Sequence, residues 1–156
     1  NPPNENVFDF DNSEKWIKRN KNLEIILQII EEEGFLQKID TSTLDLLMEM
    51  VTSMLFRRRE KPMSSQIELS DAGIVIKHEP HLSWYFISQV YDIFIKIICS
   101  DIDARTFRSY ITSRFLIQYI QLFDSKNADE RHYVLVILSR LYAKFVPRRK
   151  LIRAEV

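Results

Sequence analysis

The chain has 156 residues, 46% of them hydrophobic, with 22 Lys plus Arg against 22 Asp plus Glu. That is enough apolar side chain for one packed domain, and the balanced charge removes any whole-molecule electrostatic argument for nucleic acid or anionic membrane. One cysteine, Cys99, excludes an internal disulfide and an all-cysteine zinc site, and two glycines, Gly34 and Gly73, are too few for a phosphate-cradling loop.

A lone thiol suits a reducing compartment, so cytosol or nucleus is expected. No run reaches the roughly 18 to 20 apolar residues that a spanning helix needs. The opening NPPNENVFDF lacks the basic-then-apolar order of a secretory signal and an initiator Met, and LIRAEV stops inside a helical pattern. The chain is therefore read as a piece of a longer protein.

In chain order, helical spacing dominates. Trp16, Leu23, Ile26, Leu27 and Ile30 fall on one face and predict a first helix over 13–33, closed by Glu31 to Glu33 and capped by Gly34. Acids at a helix C-terminus oppose its dipole, so this end is expected to fray or to find a basic neighbour. Ser42 as N-cap, with Asp45 at the third helical position, begins a second helix running to about Arg58. Its stripe is Leu44, Leu47, Met48, Val51, Met54 and Leu55. Residues 60–80 lose the periodicity and predict a long loop, with a short extended piece at Ile74 to Ile76.

A third helix over 82–99 carries Trp84, Ile87, Val90, Tyr91, Phe94, Ile97 and Ile98, apolar round more than half its circumference. A short helix over 104–110 and a longer one over 113–123 follow. Asn127 caps the fifth helix, Glu130 closes a capping box, and Val134, Ile137, Leu138, Leu141 and Phe145 form its buried stripe. Pro147 stops that helix and starts a sixth. The expected fold is all-α: a HEAT-like α-solenoid of about three helical hairpins, one unit per roughly 45 residues, over 1–156 as a single domain with the loop at 60–80.

Chemistry-bearing patterns are few. In HEPH, His78 to His81, Pro80 forbids the helical spacing of a zinc protease motif, so no metal is expected, and no cofactor. His132 has no Cys or Ser at a meaningful spacing. Asp101 and Asp103 sit between helices, where Asp is a routine cap. Arg57 to Arg59 fit a helix C-terminus as well as a nuclear signal. The basic end of the fifth helix is different: Arg140, Lys144, Arg148, Arg149, Lys150 and Arg153 fall within fourteen positions that hold no acid. Spacing alone leaves open a solvated rim or a groove for an acidic ligand.

The segments FLIQYIQLFDSKNADERHYVLVILSRLYAKF and SWYFISQVYDIFIKII, with MEMVTSMLFRRREKP and FDFDNSEKW more weakly, resemble the B-prime regulatory subunits of serine/threonine protein phosphatase 2A. The resemblance covers nearly the whole chain and matches the N-terminal half of that family's HEAT-like solenoid. It implies a non-catalytic subunit that docks on the phosphatase scaffold and catalytic subunits. It also implies recruitment of substrate proteins through a short Leu-x-x-Ile-x-Glu motif, lying in a groove between the repeat of helices five and six and the repeat after it, beyond Val156. Carried onto this sequence, the motif-binding residues are Arg140, Tyr142 and Arg149, with Arg153 beside them. Departures are Ser139, where the family has a His, the turn VPRRK in place of a more apolar, glycine-containing one, and Ala128 in place of a helix-starting Pro. Losing the cation at Ser139 is expected to weaken the motif about tenfold, or ~1.4 kcal/mol. The alternative from a different class is a helical-repeat protein using its basic helix ends on nucleic acid, which neutral overall charge disfavours.

Overall fold

A computed structural model describes residues 7–60, 67–70, 73–76 and 81–156. Among the described residues six α-helices carry the fold: α1 Val7–Glu31, α2 Thr41–Glu60, α3 His81–Cys99, α4 Ser113–Ile120, α5 Ala128–Lys144 and α6 Arg149–Glu155. Short 3-10 helices at Ala104–Ser109, Gln121–Asp124 and Val146–Arg148 make the connections around α4 and α6. The long connection before α3 holds more than the expected extended piece. It contains a two-stranded antiparallel hairpin, β1 Ile67–Ser70 and β2 Gly73–Ile76, with Ile67 opposite Ile76 and Ser70 opposite Gly73. A hairpin satisfies its own backbone groups without a core, which a loop of this length otherwise leaves to water.

The packing is that of stacked helix pairs. α3 sits at the centre, with α1 and α2 against one side and α5 against the other, while α4 and α6 pack together in the second layer. Glu24 of α1 receives the Tyr85 hydroxyl of α3 at 3.1 Å, and further along both helices Glu31 pairs with Lys96 at 3.1 Å, so α1 and α3 run parallel. The contacts from Tyr133 to Asp92 and from Lys144 to Ile98 give the same sense to α5 on α3. Parallel first helices and second helices in their own layer are the arrangement of a HEAT-like solenoid. Lys96 is the basic neighbour expected for the acidic end of α1.

The buried stripes follow the sequence periodicity. Leu44, Met48, Val51 and Leu55 of α2, and Val134, Ile137, Leu138, Leu141 and Phe145 at α5, are all buried. α3 is the most enclosed helix, as its wide apolar girth predicts, with Val90, Tyr91, Ile93, Phe94 and Ile97 at 0% exposure. α1 ends at Glu31, and Gly34, with φ of 81°, sits not at its cap but in the following turn, where the Phe35 N–H donates to the Glu32 carbonyl at 3.1 Å.

Three further local expectations are corrected. α1 begins at Val7, six residues before the expected start. α2 is capped by Asp40 rather than Ser42: the Asp40 carboxylate accepts the Thr43 N–H at 2.8 Å and the Thr43 hydroxyl at 3.0 Å. Glu130 does not close a capping box, because its carboxylate turns into the core, and the Asn127 N–H goes to Ser125 Oγ at 3.2 Å instead. The side chains of Trp16 and of Arg57 to Arg59 lie outside the described residues, as does the stretch His78 to Pro80.

Candidate functional site at the turn between α5 and α6

α5 is fixed at its start by Asn127, whose side-chain oxygen accepts the N–H groups of Asp129 at 2.9 Å and Glu130 at 3.4 Å. One turn in, buried Glu130 accepts the Tyr91 hydroxyl of α3 at 3.0 Å and that of Ser125. The next turn places the Tyr133 ring on Tyr91, centroids 5.3 Å apart, and its hydroxyl on Asp92 at 2.8 Å. Burial, reinforced by Asp92, pushes the Tyr133 hydroxyl up to about 12.

The far end of α5 is fixed by Lys144. Its ammonium donates to the carbonyls of Ile98 at 3.0 Å and Ser100 at 2.8 Å, closing the C-terminus of α3, and lies 5.0 Å from the centre of the Phe107 ring. Burial lowers the Lys144 ammonium below its ordinary value, opposed by Cys99, Asp101 and Asp103. Lys144 is thus a strut between helices, separated in role from the rest of the basic cluster. Asp103 serves as the cap of the 3-10 helix Ala104–Ser109; hydrogen bonds from Arg105 hold its carboxyl down at about 2. His132 is exposed. Among the described residues no three His, Cys, Asp or Glu side chains gather as a metal site, and no helix is long and apolar enough to cross a membrane.

Beyond α5 the chain turns through Val146, Pro147 and Arg148, with Arg148 donating to Ser113 Oγ at 3.1 Å. α6 then brings two guanidinium groups back onto one ring. Arg149 reaches over the end of α5, giving Nε to the Tyr142 carbonyl at 2.9 Å and Nη2 to the Ala143 carbonyl at 3.2 Å. Its guanidinium carbon sits 5.1 Å from the Tyr142 ring centre. Arg153, one turn later, donates Nη1 to the Tyr142 hydroxyl at 2.7 Å, 6.0 Å from the same ring centre. Tyr142 is therefore held by two cations, each anchored by geometry that a flexible surface Arg lacks.

Of the four residues read from the sequence, the structure brings Tyr142, Arg149 and Arg153 together. Arg140 is exposed on α5, two positions before Tyr142 and so about 200° round the helix from it, and it does not join the ring cluster. The side of α5 that does carry Tyr142 includes Ser139 and Leu135, three and seven residues earlier. Ser139 turns its hydroxyl onto the Leu135 carbonyl at 2.9 Å, within the helix. Leu135 is 54% exposed and Val146, at the turn, 60%. These two exposed apolar side chains, seven residues before Tyr142 and four after it, were missed in the sequence; an apolar residue lying outside the buried stripe of α5 was the available signal. The arrangement offers an apolar-aromatic strip ending in two oriented guanidinium groups, suited to an extended ligand with aliphatic side chains and a terminal carboxylate.

Comparison with known proteins agrees with this architecture. Residues 4–156 match the family model described as protein phosphatase 2A regulatory B subunit (B56 family). Among curated relatives, the eta isoform of the 59 kDa B' regulatory subunit of serine/threonine protein phosphatase 2A from Arabidopsis thaliana is 30% identical, over 96% of this chain and 30% of its own length. The 57 kDa B' beta isoform from the same organism is 30% identical, over 96% of this chain and 31% of its own. The phosphatase 2A regulatory subunit psrA of Dictyostelium discoideum is 30% identical, over 96% of this chain and 24% of its own. The chain thus spans a third or less of the length of these relatives. The sequence match and the stacked helix pairs place this chain in the B56 family of protein phosphatase 2A regulatory B subunits.

Proposed function

We propose that the chain is the motif-reading part of a non-catalytic phosphatase 2A regulatory subunit, acting in cytosol or nucleus and docking on the scaffold and catalytic subunits of the holoenzyme. The names of its relatives, all regulatory subunits, support the regulatory role. The recruitment role rests on one observation: Tyr142 held between Arg149 and Arg153 at the α5–α6 turn, where the family resemblance expects a Leu-x-x-Ile-x-Glu segment to bind. In this reading the Leu and Ile of the motif pack along the Leu135 and Tyr142 side of α5. Its Glu meets the guanidinium protons that Arg149 and Arg153 do not spend on Tyr142 and Ala143. Arg140, named by the family resemblance, lies on another side of α5 and reaches only residues that flank the motif and pass round the helix. The repeat that follows α6 in the family forms the facing wall.

Two aliphatic anchors contribute about 1.5 to 3 kcal/mol each by burial, and an Arg–carboxylate contact about 1.5 to 3 more. Ordering the peptide takes several kcal/mol back, which leaves affinity near micromolar, about 8 kcal/mol. Fluorescence anisotropy of a labelled Leu-x-x-Ile-x-Glu peptide against the full-length protein tests the site, with Arg149→Ala and Arg153→Ala as comparisons. Saturable binding weakened in both variants supports it; equal affinity in all proteins sinks it. Co-precipitation of the scaffold subunit tests the assembly role separately.

A further inference from the structure

A concave space lies between α2 and the segment that runs from Ser109 into α4, with a volume of about 420 Å³ and none of the residues of the Tyr142 cluster in its lining. α2 rests on α3, and α4 packs on α5, α6 and, through Phe115 and Tyr119, on Phe94 of α3, with the space between them. Two contacts between its walls mark its ends, and the space is open to solvent along its length. At one, the Tyr110 hydroxyl donates to the Asp45 carboxylate; at the other, the Phe56 and Phe115 rings meet with centroids 5.4 Å apart. Asp45 and Phe56 lie eleven residues apart on α2, which sets a slot about 16 Å long at 1.5 Å per residue.

The floor is apolar, with Met48 at 1% and Phe115 at 4% exposure. The walls carry opposite charges: Glu49 on α2 and Arg114 on α4, both exposed and neither ion-paired among the described residues. Asp45 is already engaged by Tyr110, so these two are the charges that face the opening. A purely apolar occupant satisfies neither. A nucleic acid strand meets Asp45 and Glu49 with repulsion. An extended peptide has the right pitch, since about 16 Å holds about five residues at 3.3 Å each and neighbouring side chains alternate between floor and walls.

We propose that this slot docks an extended segment of a partner protein, with one aliphatic or aromatic side chain seated on Met48 and Phe115, a Lys or Arg at Glu49 and an Asp or Glu at Arg114. It is a second docking point, independent of the ring cluster at Tyr142.

The test titrates the 15N-labelled chain with short capped peptides built on a central Leu in Ser and Ala. They carry one Lys and one Glu in either order, two Lys, or two Glu. The slot predicts saturable amide shifts around Met48 and Phe115, with a mixed-charge peptide binding about two- to fivefold tighter than either like-charged one, the scale of exposed ion pairs. Glu49→Arg moves the preference to the doubly acidic peptide and Arg114→Glu to the doubly basic one. Ser53→Trp, which fills the slot, removes the shifts while circular dichroism shows the helices intact. Arg153→Ala leaves the slot titration unchanged, which separates this site from the α5–α6 turn. Shifts centred elsewhere, or a preference unmoved by both charge reversals, overturn the proposal. So does sedimentation showing a dimer of the chain that Ser53→Trp dissociates, since a second copy then fills the slot.

Discussion

Replacing Arg149 separates two duties of one side chain. In Arg149→Ala the C-terminal turn of α5 loses the donors to the Tyr142 and Ala143 carbonyls, and Tyr142 loses a cation 5.1 Å from its ring centre. Each hydrogen bond contributes about 1 kcal/mol net, and a cation near an aromatic face about 0.5 to 1 more, so the variant is destabilised by about 2 to 3 kcal/mol. For a domain of this size 1 kcal/mol corresponds to about 2 to 4 °C in melting temperature, which puts the expected drop near 5 to 10 °C. Arg153→Ala loses one bond to the Tyr142 hydroxyl on the exposed side, about 0.5 to 1 kcal/mol, and melts within about 1 to 4 °C of wild type. Arg149→Lys keeps the charge but not the planar fork and falls between them. Thermal unfolding followed by circular dichroism reads all three. If both Ala variants melt together, Arg149 is not closing the end of α5 and the geometry assigned to the turn is wrong.

Other substitutions address the supports of the site. Lys144→Met keeps an apolar stem beside Phe107 but removes the donors to Ile98 and Ser100, and a loss of about 1.5 to 3 kcal/mol is expected in urea unfolding; no change contradicts the strut. Asn127→Ala removes the cap of α5 and costs about 1 kcal/mol in the same assay, whereas Ser42→Ala, at a position the structure does not use as a cap, costs little. The Tyr133 hydroxyl is pushed up to about 12 from an ordinary value of 10.0, so the unfolded chain releases this proton first as pH rises. Its contribution to stability is complete below pH 10 and disappears towards pH 12. Phenolate absorbance of wild type against Tyr133→Phe, with unfolding midpoints across that window, checks the sign; a midpoint that rises there contradicts it.

What was legible in the sequence depended on how local its cause is. The stripe and N-cap of α5 need only 3.6-residue spacing and Asn127, and the structure keeps both. The cap of α2 was misplaced because Asp40, Thr41, Ser42 and Thr43 are four consecutive cap-forming residues, and only the folded turn selects among them. Glu130 fits a capping box by spacing, but a buried hydroxyl thirty-nine residues earlier, on Tyr91, draws it inward. Lys144 read as one of six clustered cations, and its distant partners, the last carbonyls of α3, could not be seen from α5. The candidate site was half visible for the same reason. The family-like segment around Tyr142 named the residues, whereas the closure of Arg149 and Arg153 over its ring depends on how the chain turns at Pro147.

The most direct measurement of the central claim is a double-mutant cycle across the α5–α6 turn. The Glu of a Leu-x-x-Ile-x-Glu peptide is changed to Gln, and its binding is compared with that of the parent peptide on wild-type, Arg149→Ala and Arg153→Ala full-length protein. A coupling of about 1 to 3 kcal/mol between the peptide carboxylate and at least one of these arginines is predicted. Zero coupling with both, the Glu-to-Gln change costing the same on wild type and on each variant, would contradict the assignment of this turn as the carboxylate end of a motif-binding groove.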